Sequence, residues 1–295
     1  MKNKLKLSSK YSPDNIATLA TRDCIKFLRT IPEKEAQLIV SSPPYNVGKK
    51  YEKKMSLDEY TKLQTQVIAE SYRILKTSGS ICWIVGNYIP GECEILPLDI
   101  HLHDKFHSIG LKLRNRIVWH FEHGLHCQQR FSGRYETILW YTKSDQYTFN
   151  LDPVRIPQKY PGKKHYKGPN KGKYSGNPRG KNPGDVWSIP NVKANHIEKT
   201  IHPCQFPIAL IETLILALSN KNDLVVDPFM GVGSTAVAAI LNNRRVSGCD
   251  LISEYVRISR NRVKEALTGK IKFRSRDKHI YVPNSNSKLL KRDDL

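Results

Sequence analysis

The chain of 295 residues is poor in acidic groups: 27 Asp and Glu stand against 48 Lys and Arg, a formal charge of +21. Long apolar runs are missing as well. Nothing approaches the ~18 to 20 consecutive apolar residues that cross a bilayer. The basic start, MKNKLKLSSKYSPDN, lacks the apolar stretch of a secretory signal. Both absences predict a cytoplasmic protein without a membrane partner. The six cysteines, at 24, 82, 93, 127, 204 and 249, include no C-x-x-C pair. That argues against zinc ribbons, redox dithiols and an oxidised secreted framework. No repeat period is present. What the chain does have is positive charge, and a surplus of this size fits a polyanionic partner, because Lys and Arg that neutralise phosphates release condensed counterions.

Apolar runs with strand character lie at 36–42, 80–86, 116–121, 136–141, 223–227 and 244–250, and helical spacing lies at 57–75, 206–219, 234–243 and 253–267. In 57–75 the residues Tyr60, Leu63, Val67, Ser71 and Ile74 share one face. Strands alternating with helices predict an α/β fold, a mostly parallel sheet with helices on both faces. Residues 151–200 break the pattern. They hold 11 Lys and Arg against 3 Asp and Glu and are dense in Gly, Pro, Tyr and Asn. Such a segment builds no core of its own. It is expected to dock on nucleic acid through Lys163, Lys164, Lys167, Lys171, Lys173, Arg179 and Lys181, with Tyr160, Tyr166, Tyr174 and Trp187 able to stack or pack. The predicted organisation is 1–150, a basic insertion at 151–200, 201–269 completing the same domain, and a loosely held basic tail at 270–295.

Histidines cluster in WHFEHGLHC (119–127), but their period of three does not face one way on a strand, so no metal site is predicted. The better readings are pocket walls or phosphate contacts, leading into Arg130 and Arg134. His101, His103 and His107 are expected on a solvated helix or loop.

Two stretches carry chemistry. IVSSPPYNVGKK (39–50) ends an apolar run in consecutive prolines, which fix the backbone and remove donors. Ser42, Pro43, Pro44 and Tyr45 then form either a capped turn or a rigid cup for a planar, hydrogen-bonding substrate. DLVVDPFMGVGSTAVAAIL (223–241) reads as strand, glycine turn and helix. Gly231, Gly233 and Ala236 fit G-x-G-x-x-A, and Asp250, about twenty residues on, suits the two hydroxyls of a ribose. Asp227 and Phe229 suit a cationic ligand better than a pyrophosphate, which favours S-adenosylmethionine over NAD.

Together, SSPPYN and DPFMGVGST resemble the amino-group DNA methyltransferases, in the permuted order of the beta group with the catalytic motif ahead of the cofactor motif. The resemblance implies a Rossmann-like, S-adenosylmethionine-dependent methyltransferase fold and duplex DNA as substrate. TRDCIKFLRTIP (21–32) would bring Asp23 to the adenosine. RFSGRYETILWYTK (130–143) would back the base pocket. IHPCQFPIALIETLI (201–215) would close the methionine pocket with His202 and Pro203, while Ser234 and Thr235 would complete the cofactor loop. Residues 151–200 sit where this group carries its target-recognition region. The implied chemistry is direct in-line methyl transfer to the amino nitrogen of an extruded base, with Ser42 Oγ and the Pro43 carbonyl as acceptors and no cysteine nucleophile. In this family S-P-P-Y accompanies mostly N4-cytosine products and D-P-P-Y mostly N6-adenine. The expectation is therefore an N4-cytosine methyltransferase, monomeric or homodimeric, protecting DNA beside a cognate restriction endonuclease. The alternatives are an N6-adenine enzyme, an NAD-type oxidoreductase, and a DNA-binding protein that has lost catalysis.

Overall fold

A computed structural model describes residues 6–46, 48, 54–89, 94–124 and 126–278. In chain order the elements are β1 (Leu7–Ser8), β2 (Ala17–Thr21), α1 (Cys24–Leu28), β3 (Ala36–Ser41), α2 (Leu57–Ile74), β4 (Leu75–Val85), β5 (Asn87–Tyr88), β6 (Leu96–Pro97), α3 (Leu98–His107), β7 (Lys112–His120) and β8 (Tyr135–Thr142). They continue as β9 (Val186–Ser188), α4 (Ile208–Leu218), β10 (Leu224–Asp227), α5 (Ser234–Leu241), β11 (Arg245–Asp250) and α6 (Ser253–Leu267). Nine strands form one sheet in the order β1-β2-β11-β10-β3-β4-β8-β7-β9, and β5 pairs with β6 apart from it. Within the large sheet only β8 runs against its neighbours. This is the expected mostly parallel α/β architecture.

The strands are apolar throughout because both faces are covered. Along β3, Leu38 and Val40 join a core under α4, α5 and α6, while Ile39 joins the opposite core under α1, α2 and α3; all three are fully buried. Ser56 caps α2 reciprocally with Glu59, so the long helix starts at a defined residue. It ends at Ile74, and Leu75 is already extended, so β4 follows without a loop. The sequence pattern alone carries this helix to 75 and starts the strand at 80. Among the described residues no helix is long and apolar enough to cross a membrane.

Two expectations need correction. His103 is not merely solvated: α3 turns it onto β8, where its Nδ1 lies 2.8 Å from the Tyr141 hydroxyl and the two rings stack. The start of the tail is also held, because Ile271 and Phe273 pack on the α4–α6 core and the Arg274 amide donates to Glu198 Oε1 at 3.1 Å. Residues 279–295 lie outside the described part.

Residues 151–200 wrap along the sheet edge. A short turn at Asp152–Val154 seats Val154 in the core, and β9 adds in parallel to β7. Between them the chain folds back on itself through main-chain bonds, among them His165 to Lys173 at 2.9 Å and Ser175 to Lys163 at 2.9 Å.

The feature that places the site is a reversal in strand order. β3 and β10 are adjacent and parallel, yet the crossover after β3 leads through α2 to β4 on one side, and that after β10 leads through α5 to β11 on the other. Open α/β sheets bind ligands in the crevice such a divergence opens at the carboxyl ends of the strands.

Candidate active site

Both chemical motifs leave the sheet at this divergence. Ser41, the last residue of β3, donates through Oγ to Asp227 Oδ1 at the end of β10, at 2.6 Å. The Phe229 amide closes the junction, at 3.1 Å from Asp227 Oδ1 and 3.3 Å from Ser41 Oγ. The loops that begin at Ser42 and Pro228 are thereby joined at their roots, although 186 residues separate Ser41 from Asp227. Asp227 is wholly buried, and that desolvation pushes its carboxyl up to about 6 despite the hydrogen bonds that favour the ion. Its Oδ2 makes no hydrogen bond of good geometry, and the equally buried Thr235 hydroxyl is its neighbour.

The glycine loop is shaped by contacts on three sides. Gly231 adopts φ 53° and donates its amide to Asp250 Oδ2 at 3.0 Å; a Cβ there would approach His202 Nε2 to 3.2 Å. Gly233, at φ 78°, caps α5, and a Cβ there would lie 2.1 Å from Ser259 Oγ of α6. The two glycines therefore serve different ends, one the turn beneath His202 and the other close helix packing. The other oxygen of Asp250 accepts from the Ile252 amide at 2.8 Å. Asp23 caps α1 by accepting from Lys26, and β2 lies beside β11, so Asp23, Asp227 and Asp250 end three neighbouring parallel strands or the turns after them.

His202 comes from the segment before α4 and lies over Gly231 with its ring edge-to-face to Tyr255, 4.7 Å between centroids. Burial, reinforced by Lys199, pushes its pKa down to about 4, so the imidazole is neutral in ordinary buffers. Its Nδ1 accepts from the Cys204 amide at 3.2 Å, which leaves the ring proton on Nε2, the atom nearest the glycine. Pro203 is exposed beside it. Ser234 is turned inward, donating to the Phe206 carbonyl at 2.8 Å, and ties the glycine loop to the same segment. Phe229 packs edge-on against Trp83 and remains partly exposed.

Opposite this loop stands the cup. Pro43 is buried, and Ser42, Pro44 and Tyr45 are half-buried. Tyr45 Oη lies 2.9 Å from Ser42 Oγ and donates to Glu136 Oε2 at 2.9 Å, with the Ile84 carbonyl more distant at 3.4 Å. The Tyr45 ring crosses the end of β4 so closely that a Cβ at Gly86 would come within 3.1 Å of it. Asn46, at φ 59°, exchanges two hydrogen bonds with the Met55 main chain at 2.7 and 2.8 Å, which fixes the exit of the cup. Chemically, the arrangement offers a fixed ring face, a hydroxyl in a defined network and a proline carbonyl beside a ligand cradle.

The basic residues lie on two other segments. Arg130 and Arg134 lie in the loop between β7 and β8, with the fully exposed Phe131 between them. Lys163, Lys164, Lys167, Lys171, Lys173 and Lys181 are all exposed on the insertion. Arg179 is also exposed, but its guanidinium pairs with Asp152. Among the described residues no cluster of His, Cys, Asp or Glu could hold a metal ion. Two surface cavities, of about 590 and 300 Å³, lie toward the other end of the sheet, and none of the strand-end residues lines either.

Sequence reasoning misses Ser41 and Glu136. Ser41 is visible in the S-S-P-P-Y string as a polar residue closing an apolar run. Glu136 is visible as a lone charge at the head of the apolar strand ETILWY.

A family model described as DNA methylase, N6_N4_Mtase, matches residues 36–261. Type II methyltransferase M.BglII of Bacillus subtilis is 47% identical over 253 residues, covering 86% of this chain and 70% of that protein. DNA adenine methyltransferase YhdJ of Escherichia coli K12 is 31% identical over 279 residues, covering 88% and 91%. Among solved structures, PvuII DNA methyltransferase (cytosine-N4-specific) superposes with a TM-score of 0.67 at 20% identity, covering 85% of this chain and 91% of that one. A DNA modification methylase of Thermus thermophilus, solved with S-adenosyl-L-methionine, gives 0.60 at 22%, covering 85% and 96%.

Proposed function

The chain belongs to the N6_N4_Mtase family of DNA methylases, and from that premise we propose that it transfers a methyl group to the N4 amino nitrogen of cytosine within a short duplex sequence. The observation that carries the reading is the rooting of the Ser42–Tyr45 cup and the glycine loop in one hydrogen-bonded junction, Ser41 to Asp227 at 2.6 Å. One loop holds the acceptor base and the other the methyl donor.

S-adenosylmethionine, when bound, supplies an electrophilic methyl group; the new N–C bond forms as the S–C bond breaks, its electron pair stays on sulfur, and an amino proton then leaves to solvent. The cradle fits that molecule. It has positive-φ glycines where a ligand can approach the main chain, carboxylates at two strand ends and in the turn after a third, a neutral His202 over the loop and a buried Asp227 carboxyl. In this reading Asp250 and Asp23 take the ribose side, and Asp227, Phe229, His202 and Pro203 take the methionine side. Gly231, Gly233 and Thr235 set the floor between them, and Ser234 acts by anchoring that floor.

The base has to leave the duplex first, at a cost of a few kcal/mol. Tyr45 then offers its ring for stacking. Ser42 Oγ and the Pro43 carbonyl accept the two amino protons, drawing the nitrogen lone pair out of conjugation and toward the methyl group. Serine at position 42 is what favours cytosine. In this family S-P-P-Y accompanies mostly N4-cytosine products. The likeness to YhdJ keeps adenine N6 as the second reading.

Residues 151–200 serve as the target-recognition region, with Arg130 and Arg134 contacting the duplex near the cup. The likeness to M.BglII supports a protective role in restriction–modification, opposite an endonuclease that cuts the same sequence. Purified enzyme, S-adenosylmethionine and mixed-sequence duplex DNA, followed by nucleoside mass analysis, test the assignment. N4-methylcytosine is expected; N6-methyladenine alone overturns it.

A further inference from the structure

We propose that Glu136 is a positioning residue for methyl transfer, acting through Tyr45 to turn the Ser42 hydroxyl so that its oxygen faces the base as an acceptor. The inference rests on the functional reading above and deepens it.

It follows from counting protons along three side chains. Tyr45 has a single hydroxyl proton and two close partners, Glu136 Oε2 and Ser42 Oγ, each at 2.9 Å. An ionised carboxylate only accepts, so the Tyr45 proton goes to Glu136. The Tyr45 oxygen is then the acceptor in its contact with Ser42, and Ser42 spends its own proton on it. Lone pairs of Ser42 Oγ are left for a group arriving from outside, and an amino group needs an acceptor there. Protonating Glu136 permits the opposite polarity. The acid donates to Tyr45, Tyr45 donates to Ser42, and the Ser42 proton points outward at a base amino group that has only protons to offer.

The surroundings place this reversal within the working range of pH. Packing beneath Tyr45 desolvates Glu136 and pushes its carboxyl up to about 7, while the Tyr45 hydrogen bond and Lys193 pull the other way. Gly86 at the end of β4 and Trp119, the register partner on β7, bring no charge to it. Cys204, on the segment before α4, adds a small electrostatic push on Tyr45. Glu136 is therefore the only acid in direct contact with the cup among the described residues.

The test is the pH dependence of kcat for wild-type enzyme, Glu136→Gln and Tyr45→Phe, each with S-adenosylmethionine and duplex DNA. Wild-type kcat should fall about tenfold per pH unit below about 7. Glu136→Gln cannot titrate and keeps an acceptor oxygen for Tyr45, so it should abolish the acid limb and leave cofactor and DNA affinities unchanged. Tyr45→Phe keeps the ring but breaks the relay, and should remove the same limb. If either folded variant keeps the wild-type limb, the proposal fails. Absence of methyl transfer by the wild-type enzyme on any DNA would instead refute the underlying function, so the two failures are separable.

Discussion

At the carboxyl ends of β3 and β10, Tyr45, Asp227, Asp250 and His202 are each held by at least one side-chain hydrogen bond, whereas the lysines between 159 and 181 stand in solvent on turns closed by main-chain bonds. The two regions meet different physical demands. Methyl transfer needs reacting atoms aligned to a fraction of an ångström, and effective molarity collapses when they are not. Contact with a polyanion needs charge that follows a groove, and its energy falls off gradually with displacement and with salt. On the proposed reading, rigidity is concentrated at the methyl-transfer site and adaptable charge on the segment that meets DNA.

Mutation can sharpen or break that contrast. The largest effect is expected for Tyr45→Ala, which removes both the stacking face and the link from Ser42 to Glu136. Turnover should fall by roughly 10²–10³-fold, with cofactor affinity near normal by calorimetry. A large loss of cofactor binding instead would put Tyr45 in the wrong pocket.

Next comes Asp227→Asn. The carboxyl stands above its ordinary value, so the folded state favours the protonated acid; that stability is present at acid pH and lost as pH rises through about 6. The amide keeps the acceptor for Ser41 and Phe229 and never carries the buried charge. The variant should be more stable than wild type by about 1–3 kcal/mol at pH 7.5, with a smaller difference at pH 5, while binding S-adenosylmethionine about tenfold more weakly. Equal melting shifts at both pH values would show that burial of this charge costs nothing.

The smallest effect belongs to the insertion. Neutralising Lys163, Lys164, Lys167 and Lys171 should leave melting temperature and cofactor binding unchanged. It should flatten the salt dependence of DNA binding by up to ~0.9 for each phosphate that no longer meets a lysine. An unchanged slope would make residues 151–200 a structural wrap and erase the contrast between the two regions.

The sequence announces the rigid region far better than the contacts that make it rigid. The proline pair, the glycine spacing and Asp250 are legible because each type is demanded by local geometry at its own position. Helix α6 is legible to its last residue, since fifteen residues of regular spacing carry a strong period. Short or interrupted elements are not. Helix α1 has five residues, and α3 buries Leu98, Leu102 and Phe106 between histidines that blur the stripe. Glu136 escapes notice because its meaning lies in a partner 91 residues away, and no local pattern encodes a hydrogen bond across that distance. Ile271 and Phe273 are overlooked for a similar reason: two apolar residues in a basic tail become core only once α4–α6 offer a surface.

The side-by-side run of β3 and β10 has one more outcome. Main-chain pairing and the Ser41–Asp227 bond hold the two loops together whatever the route of the polypeptide between them. The order of the two motifs along the chain is therefore not what brings their loops together.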